Sequence, residues 1–138
     1  MIILDTNVLS ELMRQQPSKA VSTWVGSRPA ASLFTTTITQ AEILYGVALL
    51  PAGARRDRLR VAVEGILAEE FSGRVLGFDT PAARAFGSIA AARRQAGHPI
   101  SHADAQVAAI AVSREATLAT RNVSDFEGCG LEIVDPWG

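Results

Sequence analysis

Two acidic residues of this 138-residue chain stand after short apolar runs of the kind that form buried strands: Asp5 after Ile2-Ile3-Leu4, and Asp125 beyond Thr117 to Thr120. A third, Glu42, lies at the head of the helical pattern that follows the Thr-rich run Leu33 to Thr37. A fourth, Asp104, follows no obvious strand but opens an alanine-rich segment after Gly97-His98-Pro99. In open α/β sheets, ligands sit in the crevice beyond the carboxyl ends of the strands, so polar groups placed just after a strand are the first candidates for chemistry. Carboxylates gathered there repel one another and lose solvation, whereas a hard divalent cation accepts oxygen ligands and removes that cost. One or two Mg2+ or Mn2+ ions held in this way turn a bound water into a nucleophile and neutralise charge developing on a phosphodiester, which is nuclease chemistry.

Each acid also has a local explanation. Thr39-x-x-Glu42 and Ser101-x-x-Asp104 both match a capping box, in which the acid at the third helical position reaches back to the backbone of the cap. Asp5 is suited to cap its own helix, and Asp125 to cap a turn before Phe126. The two histidines, His98 and His102, lie in one loop and read as solvated, and the sequence has neither a nucleophile elbow nor a glycine-rich loop followed by Lys.

The elements that must position these acids alternate. Ile2 to Leu4 predicts a buried strand feeding a helix with Leu9, Leu12 and Met13 on one face, and Val21, Trp24 and Val25 mark a second helix. Leu33 to Thr37 predicts a strand, followed by helices carrying Ile43, Leu44 and Val47 and then Leu59, Val63, Ile66 and Leu67. After a short strand within Arg74 to Phe78, Asp79 is set to cap a helix that ends at Gly97-His98-Pro99. The segment after Ser101 is apolar almost all round and predicts a helix buried in the core, with final strands at Thr117 to Thr120 and Glu132 to Val134. Alternating strands and helices imply an α/β three-layer sandwich with a mainly parallel sheet flanked by helices, and no linker or repeat divides the chain, so residues 1–138 are expected to form a single domain.

Composition narrows the classes. Hydrophobic residues at 48% and charged residues at 20% suit a folded globular chain. The single cysteine excludes an internal disulfide, which together with the absence of a signal peptide or spanning segment predicts a cytoplasmic location and no membrane contact. A formal charge of -1 gives no broad field for polyanions, so nucleic-acid contacts have to be local. Two clusters offer themselves, Arg55, Arg56, Arg58 and Arg60 in one and Arg93, Arg94 and His98 in the other, and both equally suit solvated helix faces.

Taken together, the segments Ile3-Leu4-Asp5-Thr6-Asn7-Val8-Leu9, Ile38 to Gly46, Asp104 to Ala109 and Leu118 to Phe126 resemble, in order and spacing, the PIN-domain nucleases, especially the VapC-type and FitB-like toxins of type II toxin-antitoxin systems. The resemblance runs from the first residues almost to the last. It implies a single PIN domain, an acidic pocket for Mg2+ or Mn2+, and endonucleolytic cleavage of RNA. Asp5, Glu42 and Asp104 match the three central acids and Asp125 the fourth, with Asn122 an alternative to it. Thr6 and Thr120 are expected as supporting hydroxyls, joined by Asn122, and Arg121 as a candidate phosphate contact. A cognate antitoxin, a homodimer, and promoter DNA reached only through the antitoxin are the implied partners. Two other functions remain open: a catalytically silent PIN-like module that docks a partner, and an aspartyl-phosphate phosphatase, for which the only lysine, Lys19, is poorly placed.

Overall fold

In a computed structural model describing residues 1–138, five strands form one parallel sheet. The strands are β1 (Ile2–Leu4), β2 (Leu33–Thr36), β3 (Val75–Leu76), β4 (Thr117–Ala119) and β5 (Ile133–Val134), arranged in the order β3-β2-β1-β4-β5. Every pairing is parallel, with Ile3 opposite Leu118 and Leu4 opposite Ala119 in the central pair. The expected sandwich is the one observed.

Six helices cover the sheet: α1 (Thr6–Leu12), α2 (Lys19–Gly26), α3 (Thr37–Ala48), α4 (Ala54–Gly65), α5 (Thr80–Gln95) and α6 (His102–Ser113). Successive strand residues point to opposite faces, so each strand feeds two cores. Ile3, Leu76 and Leu118 join Ala82, Ile89 and the α6 residues Val107 to Ala111 on one face. Leu4, Leu33 and Ala119 join Val8, Leu9, Val21, Ile43, Val47 and Val63 on the other. Right-handed crossovers explain the division, because the chain moves outward from β1 through β2 to β3, then reverses across the sheet to β4 and returns over the opposite face. The alanine-rich α6 is buried almost throughout, as its pattern predicts, and its small side chains allow close packing against α5. No helix is long and apolar enough to cross a membrane.

The reversal makes the boundary between β1 and β4 the topological switch point of the sheet, where the loops leaving two adjacent strands diverge and open a crevice. α1 and α3 start directly from the carboxyl ends of β1 and β2, and α6 runs back antiparallel to the sheet before β4. The N-termini of α1, α3 and α6 therefore lie at the carboxyl edge of the sheet, which explains how Asp104 joins that edge without following a strand.

Three local expectations need correction. The second strand stops at Thr36 rather than Thr37, because the Thr36 side chain caps α3 by accepting the Thr39 amide at 3.1 Å. The Thr39-x-x-Glu42 capping box is therefore not formed, and Glu42 lies in the second turn of α3 with its carboxylate free of the cap. Ser101 does cap α6, accepting the Asp104 amide at 3.2 Å, and Asp79 caps α5 through the Ala82 amide at 3.1 Å. Asn122, not Asp125, holds the cap position of the short 3-10 turn Val123–Phe126.

Candidate active site

Asp5 is the last residue before α1 and is only 5% exposed. Its Oδ1 accepts the Thr6 amide at 2.9 Å and its Oδ2 accepts the Thr120 hydroxyl at 2.9 Å, so both oxygens are anchored. Burial pushes the Asp5 carboxyl up to about 6; those two hydrogen bonds oppose the rise, and the charges of Asp104 and Glu42 add to it. Asp104 is also raised above its ordinary value, first by desolvation and then by the charges of Asp125 and Glu42, against opposing influences from Ser101 and Arg93. The four acids named from the sequence thus share one electrostatic neighbourhood. No salt bridge neutralises any of them, since the only two in the chain are Arg14–Glu11 and Arg114–Asp79.

Hydroxyls fix the acids' orientation. Thr6 donates to Glu42 Oε1 at 2.8 Å, and its oxygen lies 3.1 Å from the buried Thr39 hydroxyl. Because a hydroxyl has one proton, Thr6 spends its own on Glu42, and Thr39 is the donor in the second contact. Thr120 is fully buried and accepts from Asn7 Nδ2 and the Asn122 amide, each at 3.1 Å. The expected supporting role of Thr6 and Thr120 has a physical counterpart in these bonds. Thr39 and Asn7 were not anticipated; for Asn7 the available signal was its place in the first turn of a helix that begins at a candidate acid, and for Thr39 it was a Thr-rich run too long for the strand alone.

Beyond Thr120, the loop bearing Asn122 and Asp125 is exposed. Arg121 donates its amide to Asn7 Oδ1 at 3.1 Å and lays its guanidinium over the Trp137 ring, 4.8 Å from the centroid. Arg93 contradicts its assignment to a free basic cluster: it donates from Nε to His98 O at 2.7 Å and from Nη1 to the carbonyls of Asp125 and Glu127 at 2.8 and 3.0 Å. Its position at the end of α5, facing that loop, directs the guanidinium at backbone carbonyls and leaves it serving the loop. Lys19 opens α2 and lies at no strand end, so the lysine partner that aspartyl-phosphate chemistry requires is not supplied.

The donor set suits a hard divalent cation: oxygen ligands only, two of them desolvated, with a mutual repulsion that Arg93 offsets only at Asp104. The side chains do not, however, converge as they stand, and no three acidic, histidine or cysteine groups are close enough together to share an ion.

Comparison with known proteins adds lineage to this geometry. The PIN domain family profile matches residues 2–127. The chain is 41% identical to the VapC ribonuclease Y4jK of Sinorhizobium fredii, over 99% of this chain and 98% of that protein. It is 36% identical to the toxin FitB of Neisseria gonorrhoeae, over 99% of each. Among solved structures, FitAB bound to an IR36 DNA fragment superposes with a TM-score of 0.93 at 36% identity, covering 100% of this chain and 96% of the other. The parallel sheet, the acids around its switch point and these similarities agree that the chain belongs to the PIN-domain family.

Proposed function

We propose that the chain is a divalent-metal-dependent endoribonuclease, the toxin of a type II toxin-antitoxin module, held inactive by a cognate antitoxin. The observation that carries this function is the desolvated Asp5 carboxyl at the sheet's switch point, facing the charges of Asp104 and Glu42 with no cationic partner. Such an arrangement is costly unless a cation completes it. The VapC ribonuclease and FitB similarities supply the substrate class and the biological role. FitAB bound to DNA supports a module that reaches promoter DNA as a complex, and a net charge of -1 suits a toxin whose DNA contacts come from its antitoxin. A homodimer in the cytoplasm completes the proposed assembly.

Asp5, Glu42, Asp104 and Asp125 would hold Mg2+ or Mn2+, and the ion supplies an activated water and neutralises charge on the scissile phosphodiester. Asp5 contributes a pre-oriented carboxylate because the Thr6 amide and the Thr120 hydroxyl occupy one lone pair on each oxygen. Thr6 orients Glu42 in the same way. Asp125 rather than Asn122 acts as the fourth acid, since its charge reaches Asp104 whereas Asn122 bonds to Thr120 through its backbone. Arg121, over the Trp137 ring, offers a guanidinium fork to a substrate phosphate.

One observation favours a silent docking module instead, namely that no three of the acids converge in the metal-free arrangement. Induced expression separates the two. Wild-type protein is expected to arrest growth and generate new internal RNA ends, with Asp5→Asn doing neither; arrest by both proteins, with RNA intact, would favour docking.

A further inference from the structure

Asn7, the second residue of α1, reaches across the switch point to the residues after β4 and is only partly exposed. Its side-chain Oδ1 accepts the Arg121 amide at 3.1 Å, and a backbone amide can only donate, so this contact fixes which end of the Asn7 amide faces the loop. The Nδ2 end is thereby turned to Thr120, 3.1 Å from its hydroxyl oxygen. The Asn122 amide donates to the same oxygen at 3.1 Å. A hydroxyl has two lone pairs and one proton. With both lone pairs taken, the Thr120 proton is left one direction, Asp5 Oδ2 at 2.9 Å.

We infer that Asn7 is a positioning residue that, by donating to Thr120 and offering it no acceptor, reserves the Thr120 proton for the bond that orients the Asp5 carboxylate. The Arg121 amide fixes which end of Asn7 faces Thr120, and the chain of donors ends on Asp5, whose carboxylate can only accept. This inference rests on the placing of Asp5 in the proposed site. It goes beyond that placing, because it makes a residue that touches neither acid nor substrate a determinant of how one acid presents its free lone pairs. It also distinguishes two roles Asn7 could have. As a plain anchor for the Arg121 loop, Asn7 needs only its oxygen. As the polarity-setting group, it needs its N–H.

Asp is the substitution that separates these roles, since N7D is isosteric and keeps the acceptor for Arg121 but loses the donor and offers the Thr120 proton a second acceptor. N7A loses both contacts. The experiment measures kcat and KM on an RNA substrate with Mn2+ for wild type, N7A, N7D, T120S, T120V and the N7D/T120V double variant, with D5N as the control for the site and thermal unfolding for the fold. If Asn7 sets polarity, N7D lowers kcat about tenfold or more, at least as much as N7A, and leaves KM within about twofold. T120S, which keeps the hydroxyl, stays within about threefold of wild type, and N7D adds little in the T120V background, where no hydroxyl remains to redirect. Calorimetric Mn2+ affinity without RNA shows the same coupling, with the factor produced by N7D differing at least about threefold between the two backgrounds. N7D milder than N7A, or N7D producing the same factor with and without T120V, would overturn the inference and leave Asn7 a loop anchor. Should T120V fail to fold, the order of N7A and N7D decides alone. Unimpaired cleavage by D5N would instead remove the site itself, whatever the Asn7 variants do.

Discussion

At the scale of single residues, Asp5 is a carboxylate held where it is costly to charge. Asp5 binds its proton at about 6, against 3.8 for an ordinary Asp, chiefly because of burial. Between these values the folded chain carries more protons at this position than the unfolded chain, so stability falls as pH rises through the window. The full effect from Asp5 is about 3 kcal/mol, reached above pH 6, and Asp104 shifts in the same direction. Denaturation of the metal-free protein is therefore expected to show a midpoint that drops from about pH 4 to pH 6.5, with most of that drop missing in Asp5→Asn. A flat profile, or the same slope in the variant, would place the cost elsewhere. The acids' positions were legible in sequence because strand ends and helix starts mark the carboxyl edge of a sheet. Their hydrogen-bond partners were not, since Thr120 and Asn7 lie far apart in the chain and meet only when β4 docks beside β1.

At the scale of elements, apolar runs and periodicity located all five strands and all six helices, while the limit between β2 and α3 depended on which of several hydroxyls did the capping. In the run Thr35-Thr36-Thr37-x-Thr39, each threonine is a plausible cap, and the choice of Thr36 follows from β2 ending there in its pairing with β3. That choice releases Thr39 and Glu42 into the site, a consequence no local pattern contains. Arg93 is the converse case. As one of two adjacent arginines it reads as surface charge, yet the loop folding back onto α5 brings the Asp125 and Glu127 carbonyls to its guanidinium. Arg93→Ala is expected to destabilise the fold by about 1–2 kcal/mol, a modest figure because these bonds are solvent-accessible. Hydrogen exchange across residues 124–129 should accelerate about tenfold as the loop loosens. Unchanged protection in that segment would show that the loop holds itself.

At the scale of the whole molecule, the chirality of the crossovers converts a linear order of four acids into one edge. Strand order cannot be read from apolar runs, and neither can the reversal between β3 and β4 that creates the switch point; both follow once right-handed crossovers must bury two faces of one sheet. With a net charge of -1, RNA has to be met by local cations. On α4, Arg56 and Arg60 line a groove with Leu44 and Val47, while Arg55 and Arg58 line a separate depression with Gln15 and Leu59. Replacing all four by Gln is expected to weaken binding of RNA most at low salt and to flatten the salt dependence by about one log unit of slope per lost phosphate contact. An unchanged slope would assign the cluster to solvent.

The central claim is that these acids make a metal-dependent nuclease. Its most direct test is cleavage of a structured RNA pool by purified protein, with and without Mn2+ or Mg2+, with Asp5→Asn prepared in parallel. Cuts made only by wild type and only with metal are the expected result. Equal cleavage by both proteins, or none by the metal-loaded wild type, would contradict the assignment of Asp5 and its neighbours to catalysis.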